Sequence, residues 1–119
     1  MHQYKELKLW QKSIDMVTRV YALTRQFPQN EKFGVVSQIN RSAVSIPSNI
    51  AEGAGRNSNK KFIHFLAIAH GSSFELETQL TISRNLNYLS LEHRSELTDR
   101  ITELYKMNFA IQSKLKVKI

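Results

Sequence analysis

The stretch VSQINRSAVSIPSNIAEGAG, residues 36–55, decides the fold. Val36, Ile39, Ala43, Ile46 and Ile50 recur at spacings of three, four, three and four, which sets one apolar stripe along an α-helix and gives it a seam for a neighbouring helix. A second stripe, Gln38, Ser42, Ser45, Asn49 and Glu52, repeats in the same rhythm and lies about 120° away around the helix. It is polar, yet it holds small serines and amides where a plain solvent face would carry more lysine and glutamate. It therefore reads as a contact surface toward a partner helix or a neighbouring subunit. Pro47 lacks the N–H that would reach the Ala43 carbonyl, and its ring crowds that carbonyl, so a kink or a break is expected there. The apolar phase persists at Ile50, which carries the helix to Glu52. Gly53 and Gly55 read as its stop.

Working outward, three more helices appear. Upstream, Leu7, Trp10, Ile14, Val17 and Tyr21 form one stripe, widened by Met16, Val20, Leu23 and Phe27, and Pro28 ends the helix. Downstream, Asn57 and Ser58 offer caps for a third helix through Phe62, Phe65, Leu66, Ala69, Leu76 and Leu80, ending around Asn87. Ala67, Gly71 and Ser72 in its middle are small enough to let another helix approach. Ser90 caps a fourth, marked by Leu97, Ile101, Leu104, Ile111 and Leu115, with polar Asn108 in the missing seam position. Four long helices with short connections predict an all-α, antiparallel up-down four-helix bundle, a single domain over residues 1–119 with its second helix kinked at Pro47.

The residue inventory narrows the chemistry. With no cysteine there is no disulfide, thiolate metal site or cysteine nucleophile, and a reducing, cytoplasmic setting is expected. No apolar run approaches the roughly eighteen residues a membrane span needs, and the opening MHQYKELKLW lacks the apolar core of a signal peptide. Gly53 and Gly55 in AEGAGR match neither a dinucleotide nor a phosphate-loop motif. His2, His64, His70 and His93 show no metal-ligand spacing, and Glu75 and Glu77 diverge around their helix, so no catalytic residue, metal or cofactor is expected.

Seventeen Lys and Arg against ten Asp and Glu leave a formal charge of +7, which makes attraction to a phosphate polymer plausible. The cations gather modestly in two places, Lys5, Lys8, Lys12 and Arg19 on the first helix and Arg56, Lys60 and Lys61 at the turn into the third. Lys114, Lys116 and Lys118 alternate at the carboxyl end. Most aromatic residues are expected in the core, leaving Tyr4 and Tyr88 as candidates to stack on bases.

The segments ELKLWQKSIDMV (6–17), FGVVSQINRSAVSIPSNIAEGAGR (33–56), FIHFLAIAHGSSFELETQL (62–80) and NLNYLS (85–90) resemble the four-helix bundle family encoded in intervening sequences of bacterial 23S ribosomal RNA genes. The resemblance covers nearly the whole chain and is least distinctive in the last helix. It implies a ring-shaped homopentamer and kinship with the accessory protein of diversity-generating retroelements, a basic pentameric barrel that binds nucleic acid and a reverse transcriptase. The matching positions are Trp10, Gln38, Arg41, Pro47, Asn49, Glu52, Gly53, Gly71, Glu75, Glu77 and Gln79. Those on the polar stripe, together with Gly71 and Glu75, are thereby expected to serve packing between helices or subunits. The expectation is a non-enzymatic homo-oligomer that binds RNA or DNA backbones through Lys5, Lys8, Lys12, Arg19, Arg56, Lys60 and Lys61. The alternative is an adaptor that meets a protein partner through the polar stripe of the second helix.

Overall fold

A computed structural model describes residues 2–117. Four helices follow one another, α1 (Lys8–Thr24), α2 (Val35–Ala54), α3 (Asn59–Asn85) and α4 (Leu91–Val117), with single 3-10 turns at Tyr4–Glu6 and Gln29–Glu31. They run antiparallel. Arg19 meets Glu96 while Lys12 meets Glu103; Ser42 meets Glu75 while Ser45 meets Ser72; Thr81 meets Arg94 while Leu66 meets Asn108. α1 packs on α2 and α4, α3 packs on α2 and α4, and among the described residues the backbones of the diagonal pairs do not approach each other closely. The all-α four-helix bundle expected from the sequence is thus the fold, drawn out to 46 × 23 × 20 Å.

On α1 the two apolar stripes exchange rank. Met16, Val20, Leu23 and Phe27 are buried, whereas Ile14 and Tyr21 face outward and Trp10 is half-buried, because the helix turns its second stripe to the core. The helix also stops at Thr24, short of Phe27. The Thr24 hydroxyl turns back to the Tyr21 carbonyl and to Asn40 Oδ1, each at 3.2 Å, and this competes with another helical turn.

α2 runs unbroken through Pro47, whose ring is buried among residues that hold the seam phase on either side. Gly53 is not the stop expected of it. It lies buried within the last turn, and the helix ends one residue later with Gly55 as its cap in a right-handed conformation (φ −81°, ψ −6°). The reason is contact: a Cβ on Gly53 would fall 2.7 Å from Phe65 Cβ and 3.0 Å from Phe62 Cδ1, so only glycine lets α3 approach α2 this closely. Gly71, expected to allow such an approach, does not; a Cβ there would meet nothing within 4 Å. Its backbone looks outward, and it makes no helix packing within the chain.

Serine caps stand where expected. Ser58 Oγ accepts from the Lys61 N–H at 3.2 Å, and Ser90 Oγ accepts from the His93 N–H at 3.0 Å. α3 ends at Asn85, and Asn87 at φ 64° turns the chain into α4. Asn108 occupies its seam position buried, with Nδ2 donating to the Leu66 carbonyl at 2.9 Å and Oδ1 accepting from Gln112 Nε2 at 2.7 Å. Among the described residues no helix is long and apolar enough to cross a membrane.

Candidate nucleic-acid interface

The polar stripe of α2 faces α3 of the same chain through its middle. Ser42 Oγ donates to Glu75 Oε1 at 2.5 Å, the Ser45 and Ser72 hydroxyls lie 2.8 Å apart, and Asn49 Nδ2 donates to the Ser45 carbonyl at 2.8 Å. Its two ends differ: Gln38 is exposed, and Glu52 is exposed and paired with Arg56. Helix packing therefore consumes most of the surface on which an adaptor reading would rest. Glu52 and Glu75 do not share a pocket, since Glu75 meets α2 at Ser42, ten residues from Glu52 and about 15 Å along the axis.

The topology sorts the cations. Chain direction brings the start of α1, the turn between α2 and α3, and the last turns of α4 to the same end of the bundle. The His2 N–H donates to the Ala54 carbonyl at 2.8 Å, and the His2 ring lies 5.0 Å from that of Phe62, which fixes the amino-terminal segment against that turn. Lys114 is six residues beyond Asn108 and Lys60 six before Leu66, so these two lie level on antiparallel helices. Lys5, Lys8, Lys60, Lys61, Lys114 and Lys116 thus share one end, and none has a carboxylate within ion-pair distance among the described residues. Lys118 lies outside those residues.

The remaining three expected phosphate ligands are otherwise engaged. Lys12 pairs with Glu103 at 3.1 Å, Arg56 pairs with Glu52 and covers the Phe65 ring at 4.9 Å, and Arg19 grips Glu96 through two nitrogens. The hydrogen bond to Glu96 raises the Arg19 pKa, and the same bond, with Arg100 adding to it, lowers that of Glu96. Arg19 ties α1 to α4 and sits well along the helix from the basic end.

The family of 23S rRNA-intervening sequence proteins matches this chain over residues 5–110. The chain belongs to that family. A similar solved structure is a protein of unknown function from the S23 ribosomal protein family of Bacteroides thetaiotaomicron. It is 28% identical with a TM-score of 0.82, over 88% of this chain and 95% of that one. No curated protein matches.

In this intervening-sequence protein the stacking candidates are not those expected. Tyr4 packs edge-on against Trp10 at 5.1 Å, and Tyr88 leans on Phe27 and donates its hydroxyl to Glu31 at 2.8 Å. Aromatic residues assigned to the core instead lie outside: Phe33 is 89% exposed and Phe109 63%, with Phe74, Tyr21 and Tyr105 also on the surface. Phe33, Phe74 and Phe109 stand off the apolar seams, which is the signal that could have revealed them. Phe74, Ile82, Tyr105 and Phe109 give the side formed by α3 and α4 an apolar character.

His70 lies at the edge of that side, with its ring 4.3 Å from Tyr105 and 4.9 Å from Phe74, and its buried Nδ1 has no hydrogen-bond partner. Desolvation lowers its pKa from the ordinary 6.5. In the window between the folded and unfolded values, the unfolded chain binds more protons. This contribution to stability is therefore complete above pH 6.5 and declines as pH falls toward the lowered folded value. Urea denaturation at stepped pH should show this decline in the native protein and a flatter profile in His70→Phe; parallel profiles would overturn the assignment.

Proposed function

We propose that this family member is a non-enzymatic, homo-oligomeric helical bundle that holds nucleic-acid backbones electrostatically at its basic end. The observation that carries the reading is the gathering there of six cations, from three separate parts of the chain, without carboxylate partners among the described residues. Glu6 and Glu52 are the acids nearby, and Glu52 is already held by Arg56. Such an array binds phosphates without reading bases. The apolar side formed by α3 and α4 supports self-association, since a second copy would cover Phe74 and Phe109. Five copies in a ring is the number the resemblance implies, and each would add +7 to the pooled charge. A chain without cysteine suits the reducing cytoplasm.

Binding of a 20-nucleotide RNA and its DNA counterpart, titrated against salt, tests the reading. Affinity should fall steeply with ionic strength, and Lys60→Glu with Lys61→Glu should both weaken binding and flatten the slope by roughly 0.7 to 0.9 per lost phosphate contact. Light scattering on the same sample should give several times the chain mass of 13.8 kDa. Absence of binding at low salt removes the nucleic-acid reading, and a monomeric mass removes the oligomer.

A further inference from the structure

We infer that the groove between α1 and α2 seats a single-stranded stretch of nucleic acid, with one base on Phe33 and the flanking phosphates on Arg25, Lys32 and Arg41. This inference rests on the nucleic-acid reading above but uses the opposite end of the 46 Å bundle. Two open hollows, about 540 and about 260 Å³, adjoin there and share Tyr21, Lys32, Val36 and Asn40. Their combined lining holds Arg25, Lys32 and Arg41 and no aspartate or glutamate, and none of these cations has a carboxylate within ion-pair distance among the described residues.

Phe33 is 89% exposed, with Lys32 Nζ 5.5 Å from its ring centroid. An isolated exposed phenylalanine would need no explanation. This one stands beside Tyr21 at the rim of a cationic hollow, the pairing of aromatic faces and positive charge by which proteins hold unpaired bases and their backbone. Asn40 Oδ1 already accepts from Thr24, which leaves its amide hydrogens free to meet a base edge. A duplex cannot lay a paired base on Phe33, so this groove selects single strands. A second copy of the chain is the less suitable occupant. The side formed by α3 and α4 lines its hollows with one acid, Glu77, and one base, Arg94, and cannot match three cations.

Fluorescence anisotropy of labelled decauridylate, decathymidylate and a ten-base-pair duplex, at low salt, tests this. Phe33→Ala removes an almost wholly solvated side chain, so folding is preserved. It should weaken both single strands roughly tenfold, Phe33→Trp should restore them, and the duplex should be unaffected. Lys32→Ala with Arg41→Ala should lower the single-strand salt slope by about 1.4, two phosphates at about 0.7 each. Tighter decauridylate assigns the groove to RNA, tighter decathymidylate to DNA, and either supports it. If the groove variants bind like the native protein while Lys60→Glu with Lys61→Glu weakens binding, the groove is excluded and the basic-end reading stands. If the native protein binds no strand at low salt, both fall. If Phe33→Ala lowers the oligomer mass and leaves strand binding intact, the groove belongs to a second copy and the inference is overturned.

Discussion

Gly53→Val is expected to lower stability by about 3 kcal/mol, and Gly53→Ala by about 1 kcal/mol even though alanine is the better helix former. The atom that an added Cβ would strike at 2.7 Å is Phe65 Cβ, which is fixed to the α3 backbone and cannot rotate aside. The Phe62 carbonyl at 3.2 Å is equally fixed. Relief therefore requires α2 and α3 to separate, and that loosens Phe62 and Leu66 in the core behind them. Overpacking of this kind costs roughly 1–3 kcal/mol, against about 1 kcal/mol gained from helix propensity, and valine adds two methyl groups to the same collision. Gly71→Ala should do the reverse and raise stability by about 0.5–1 kcal/mol, because its Cβ enters open space in mid-helix. Thermal melts followed by circular dichroism should separate the two alanine variants by several degrees, at about 4–8 °C per kcal/mol for a chain near this size. Gly53→Ala melting at or above the native temperature would refute the close-contact account.

Those two glycines also show what the sequence could and could not convey. The periodicity of Val36 to Ile50 states that α2 has an apolar face, and the serine caps state where α3 and α4 begin; both are local properties written within a few residues. Whether a glycine is an end, a contact or neither depends on what crosses it. Gly53 belongs to a contact only because Phe62 and Phe65 come from another helix. The same limit explains α1, where two stripes of similar hydrophobicity compete and only the position of α2 and α4 selects Met16 and Val20 over Ile14 and Tyr21. The charges behave likewise. Lys5 and Lys61 are far apart in sequence, and it is antiparallel connectivity that brings them to the same end of the bundle, whereas Lys12 and Arg19 are neutralised by Glu103 and Glu96 from the far end of the chain. Composition recorded the excess of cations, and topology decided which of them remain free.

Asn108→Asp is expected to cost about 3 kcal/mol at pH 7 and very little near pH 4. The substitution preserves shape, so its effect is electrostatic. Asn108 is 4% exposed, and its Nδ2 donates to the Leu66 carbonyl at 2.9 Å. An aspartate would set a carboxylate oxygen against that carbonyl oxygen, in a core where Gln112 is the one neighbour known to donate to it. An ionised group so buried and so poorly paired costs several kcal/mol, or else takes up a proton. Its folded pKa must then lie above the unfolded value of about 3.9. With the folded value raised, the penalty is complete above that value, shrinks as pH falls through it, and vanishes below the unfolded value; a protonated carboxyl can donate to Leu66 as the amide does. The quantity to measure is the stability difference between variant and native protein at each pH, which cancels the shared titration of His70 and Glu96. Asn108→Leu separates charge from shape: the Leu66 carbonyl keeps its place inside α3, half-buried Gln112 can turn to water, and the loss should stay below about 1.5 kcal/mol. A pH-independent loss in the aspartate variant, matched by an equal loss with leucine, would mean that the site demands the amide for its fit and not for its neutrality.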